Sequence, residues 1–175
     1  MELTILKVTA LLALVPASLL TFRRVPKRDI VYWSTLAVAL CGTLAWVWVR
    51  QSAGWQTGLS TALWLTVVSC LILYIGIAYF SEDGWRLTAI LLPYLLIIGV
   101  LATIWSQVPE RPLVGNAPLA WIGTHIAVSV ATYALITLAA VAALAATLQE
   151  RAIKSKKRTR LSRLLPSIAG SEGLL

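Results

Sequence analysis

The fold class that this sequence predicts is an all-α integral membrane bundle of about five transmembrane helices, and three observations carry it. Of the 175 residues 59% are hydrophobic and only 13% charged, whereas soluble domains run near half apolar and about a quarter charged. The apolar residues fall in blocks of about twenty, the length that takes a helix across a hydrocarbon core of about 30 Å. The charges lie between those blocks. Lipid is therefore the expected solvent, and one membrane domain over residues 1–148 with a basic tail or connector over 149–175 is the economical division.

The first span, residues 3–22, begins near the amino terminus but does not read as a secretory signal. A signal peptide carries its basic residues before the apolar stretch, and here Arg23, Arg24, Lys27 and Arg28 follow it. It is expected to be a retained helix with its amino end outside. Spans 30–49 and 59–80 follow, joined by the polar link 50–58. Ser81, Glu82, Asp83 and Gly84 make a tight turn before span 87–105, in which Pro93 is expected to kink the helix. The link 106–118 contains Pro109, Pro112, Gly115 and Asn116 and cannot be one helix. The fifth span, 119–148, would measure about 45 Å, so it must tilt or project from the bilayer; Gln149, Glu150 and Arg151 carry it into a basic segment.

Charge gives the orientation. With the amino terminus outside, the inner ends of the spans hold twelve basic residues and the outer ends three, Lys7, Arg50 and Arg111. This bias predicts a cytoplasmic carboxyl terminus. The formal charge of +8 is thus a topology signal beside apolar blocks, and no nucleic-acid-binding motif accompanies it. Cys41 and Cys70 lie inside apolar spans without CxxC spacing and are expected to be reduced, buried packing residues. The seven acids sit at span ends or in links and are expected to be solvated, while Lys7 is close enough to an end to snorkel.

His125 is the only histidine. It lies about 39 Å along the helix from Arg151 and so near the outer surface. Steps of three and four place Trp121, His125, Ser129, Thr132 and Tyr133 on one polar and aromatic stripe. Lipid cannot satisfy such groups, so the stripe is expected to face other helices, either as a packing seam or as a site in which His125 ligates haem iron. Six of the eight tryptophans, Trp46, Trp48, Trp55, Trp64, Trp105 and Trp121, fall at outer ends or links and two, Trp33 and Trp85, at inner ends. A belt alone would enrich both faces, and the excess suggests an outer platform for a planar ligand. No phosphate-binding loop, paired intramembrane carboxylates or Ser-His-Asp set accompanies them, so no enzyme is expected.

The run from His125 through Ser129 to Tyr133, the Gln149-Glu150-Arg151 end, the Lys/Arg cluster and Leu164-Leu165-Pro166-Ser167 resemble the cytochrome c assembly transmembrane family, the CcsA/CcmC/HemX-like group, and within it the short YpjD-like inner-membrane branch. The specific part covers residues 121–172. The resemblance implies a multi-pass protein of the bacterial inner (cytoplasmic) membrane that handles haem at the outer face, with His125 as iron ligand and other cytochrome c assembly proteins as partners; the stripe residues Trp121, Ser129 and Tyr133 are then expected around the cofactor. A homo-oligomer is left open. The tryptophan-rich WWD loop of better-understood members is missing, and family members continue for about three more helices, so the chain is expected to be an amino-terminal portion with an unpaired polar stripe. Two other classes compete: a non-catalytic membrane scaffold or regulatory subunit whose basic tail engages a partner or anionic lipid, and part of a transporter, disfavoured because intramembrane charges and an inverted repeat are lacking.

Overall fold

A computed structural model describes residues 2–20, 28–52, 56–81, 83–112 and 118–154. Five helices follow in chain order: α1 (Glu2–Leu19), α2 (Ile30–Ser52), α3 (Leu59–Phe80), α4 (Thr88–Trp105) and α5 (Leu119–Lys154). The protein is a helical membrane bundle. Four spans, Ile30–Ser52, Leu59–Phe80, Gly84–Trp105 and Ala120–Arg151, are long and apolar enough to cross a membrane, and Thr4–Leu19 is a shorter apolar helix. The helix of the first expected span ends at Leu19, and the last residues of that span, 21–22, lie outside the described residues; α4 is continuous through Pro93 and preceded by a single 3₁₀ turn, Gly84–Leu87. The tail beyond Lys154 lies outside the described residues.

The helices α1 to α4 close a ring in which each packs on the next and α4 returns to α1, while α5 lies outside the ring, chiefly against α3. Small residues draw α1 and α2 together. Ala10, Ala17 and Ala39 are buried, and a Cβ on Gly42 would stand 2.7 Å from the Ala13 Cβ. Without a hydrophobic drive between helices in lipid, such backbone approach and the dispersion contacts it permits are what hold two spans together. Gly42→Ala should therefore lower the unfolding free energy in detergent by about 1–3 kcal/mol through overpacking. Gly76→Ala is the matched control, because a Cβ there meets nothing within 4 Å; equal thermal midpoints for the two variants would contradict this packing.

The ring's centre is aromatic and aliphatic: Trp64, Leu71, Tyr74, Leu91, Leu92 and Leu95 are all buried. At the inner end a polar network ties three elements together. The hydroxyls of Tyr32 and Tyr74 lie 2.8 Å apart, and Tyr74 also meets Thr88 Oγ1 and the Trp85 carbonyl. Asp29 Oδ1 accepts from the Tyr32 amide at 3.0 Å, capping α2, and Arg28 stacks 5.7 Å from the Trp33 ring centre while donating to the Tyr79 and Ser81 carbonyls that end α3. Asp29 is thus a structural cap, not merely a solvated acid.

Candidate functional site

The outer half of α5 is where sequence and structure part. Its inner half is anchored: Ala134, Leu138, Val141, Ala142 and Ala145 are buried, and Cys70 on α3 brings its Sγ to 4.0 Å from the Ala134 carbonyl. Between Ala120 and Tyr133 no residue is buried. Trp121 is 73% and Tyr133 63% exposed, His125 and Thr132 are exposed, and Ser129 is half-buried. The stripe does not face the other helices of this chain, contrary to expectation. The cause is the closed ring, which leaves α5 chiefly the flank of α3 to pack on.

Most of the polarity on this face is tolerable in lipid because it is satisfied locally. Thr124 donates to the Ala120 carbonyl at 2.9 Å, Thr132 to Val128 at 2.8 Å and Thr137 to Tyr133 at 2.9 Å, the back-bonding that lets hydroxyls sit on a membrane helix. What remains is the imidazole of His125 with the hydroxyls of Ser129 and Tyr133, none of which is recorded in a hydrogen bond among the described residues. Those groups stand one and two turns apart on an accessible face. Among the described residues nothing covers this imidazole, and a neutral imidazole would be able to ligate a haem iron, so the donor fits the implied cofactor.

The tryptophans do not gather around it. Trp46 and Trp64 pair edge to face, centroids 6.4 Å apart, inside the ring and largely buried. Trp48 is 79% and Trp105 44% exposed, Trp55 lies outside the described residues, and no ring contact among the described residues involves Trp121. Trp121 is therefore the tryptophan on the His125 stripe, and among the described residues no wider platform forms around it. Cys70 is buried as expected, but Cys41 is exposed: its helix is apolar all round, and its side faces out of the ring.

A second outer cluster was not visible in the sequence. The Glu110 side chain, expected to be solvated, is 4% exposed and pairs with Arg50 at 3.0 Å. It also accepts from the Thr61 amide at 3.1 Å and the Thr61 hydroxyl at 2.8 Å. A short antiparallel pairing of Gln56–Thr57 with Arg111–Pro112 brings the two outer links together. Gly58 makes room for the carboxylate, since a Cβ there would lie 2.4 Å from Glu110 Cγ. Nearby, Lys7 donates to Ser106 Oγ at 2.7 Å, tying α1 to the end of α4. Glycine in one polar link and glutamate in another were the available signals, but nothing in either segment said that they would meet.

No family model and no solved structure matches this chain. It is 47% identical over 169 residues to an uncharacterized 28.8 kDa protein in the nifR3-like 5′ region of Azospirillum brasilense. That similarity covers 94% of the chain and spans 62% of the relative's length.

Proposed function

We propose that this chain belongs to a membrane haem-handling factor of cytochrome c assembly, without catalytic turnover of its own, that presents haem near the outer face of the bacterial inner membrane. The observation that carries the reading is the single imidazole, His125, exposed on the outer half of α5 and, among the described residues, neither covered nor in a hydrogen bond. The resemblance of residues 121–172 to the cytochrome c assembly transmembrane family supplies the cargo. In this reading His125 holds the iron, Trp121 lies against the porphyrin, and Ser129 and Tyr133 orient the imidazole or meet polar edges of the ring. Iron in a porphyrin contributes the affinity for imidazole and the visible absorption by which binding is followed. Other cytochrome c assembly proteins are the proposed partners.

Titration of the purified protein with haem in detergent tests this, and a saturable shift of the Soret band near one equivalent is the expected result. A titration indistinguishable from empty detergent micelles would reject haem handling by this chain and favour a membrane scaffold.

Orientation is tested separately. A reporter active only outside the cytoplasm should remain silent when fused after Leu175, given the twelve-to-three basic bias. Activity there would move His125 to the inner face and remove its placement in the proposal.

A further inference from the structure

Trp64 presents a physical anomaly. It is 1% exposed, yet its indole Nε1 is buried without an acceptor among the described residues. A buried N–H left unmade costs about 1–3 kcal/mol, and such groups usually answer to a water or a ligand. The six-membered end of the ring is accounted for, because it lies 3.6 Å from where a Gly99 Cβ would stand on α4. Trp64 also lines a half-open pocket between the last turns of α2 and the first turns of α3, together with Trp46, Arg50, Ser60 and Thr61. There is room within it for about one water-sized group.

The other donors at that mouth are chemically selective. Arg50 engages Glu110 through Nη2, and its remaining guanidinium N–H groups have no recorded partner among the described residues while its side chain is 33% exposed. Thr61 donates its hydroxyl to Glu110 and Ser60 donates to the Ala102 carbonyl at 2.8 Å, so neither hydroxyl proton is free to compete. Gln51 also lines the pocket, so its polar lining beyond the two committed hydroxyls is the Trp64 indole N–H, the Gln51 carboxamide and the partly exposed Arg50 guanidinium, and it admits a single oxygen while the rest of its carrier stays outside. Trp48, 79% exposed on the same end of α2, marks the headgroup level as interfacial tryptophans do.

We propose that this pocket binds the phosphodiester of a lipid headgroup, one phosphate oxygen accepting from Trp64 Nε1 and the others facing the Arg50 guanidinium. A phosphate suits the site because it carries several acceptors on one centre and pairs with guanidinium in a planar fork. The source is a lipid because the pocket opens where α2 and α3 reach the interface and its walls are the rings of Trp46 and Trp64.

Native mass spectrometry of delipidated protein in detergent tests this with three probes: phosphatidylglycerol, diacylglycerol of the same acyl chains, and inorganic phosphate. Retention of phosphatidylglycerol alone is expected, weakened about threefold to tenfold by Trp64→Phe and by Arg50→Gln, with Trp48→Phe unchanged. Equal retention of diacylglycerol would mean that the phosphate contributes nothing, and binding of inorganic phosphate without the lipid would reassign the source; either overturns the proposal. Because Trp64 is central to the core, the indole N–H resonances of the unsubstituted protein provide the second readout. The Trp64 resonance should move downfield on adding phosphatidylglycerol and stay fixed with diacylglycerol. An unmoved resonance would show that water alone fills the pocket and would overturn the assignment.

Discussion

Glu110→Ala should lower the stability of the bundle by about 2–3 kcal/mol, which for a protein of this size is roughly 4–12 °C in the unfolding midpoint. The carboxylate accepts three hydrogen bonds, from Arg50 and from the amide and hydroxyl of Thr61. Removing it leaves the Thr61 amide and an adjoining cation without their acceptor. The full cost of breaking a buried pair is greater, but Arg50 is one-third exposed and water will screen what remains. Glu110→Gln should fall between, since one amide oxygen can still accept from Thr61 while its NH₂ faces the guanidinium. The double variant Arg50→Met, Glu110→Met should recover part of the loss, because no unpaired charge is then left behind. Thermal unfolding in detergent at one scan rate measures all three. A midpoint for Glu110→Ala within a degree of the parent would mean that the outer links contribute nothing to holding the ring.

The helices were legible because each span is a block of apolar residues bounded by charge, a signal that depends on composition alone. How they pack was not. In a soluble helix the inward face is apolar and the outward face polar, so a period of 3.6 residues reports direction. In lipid both faces are apolar, and the signal disappears. Cys41 and Cys70 illustrate this: the same residue type in similar spans, one exposed and one buried. Trp64 looked like a member of the outer belt and is instead central to the ring, and Glu110 looked solvated and is enclosed. Both placements come from contacts with other segments of the chain, Glu110 with Thr61 and Trp64 with Trp46 and the Gly99 face of α4, which local patterning does not encode. The polar stripe was correctly located on α5, but its exposure follows from the closure of a ring that α5 does not join.

The same exposure makes His125→Ala an unusually clean experiment. A substitution at a buried position confounds loss of ligand with loss of fold, but His125 is exposed and is recorded in no hydrogen bond among the described residues. The anchoring residues of α5 begin at Ala134, more than two turns away. His125→Ala should therefore leave the unfolding midpoint unchanged and, under the proposed function, weaken haem binding by more than the roughly 10–100-fold that losing a group hydrogen-bonded to a metal ligand costs, since the proposed iron ligand itself would be gone. Ser129→Ala and Tyr133→Phe should each cost less, because a hydroxyl can orient an imidazole without replacing it. Free imidazole added to the His125→Ala protein should restore part of the Soret shift if the rest of the face still receives the porphyrin. Haem affinity that is the same with and without His125, in protein of unchanged midpoint, would show that any haem taken up is held elsewhere, and the axial assignment would have to be abandoned.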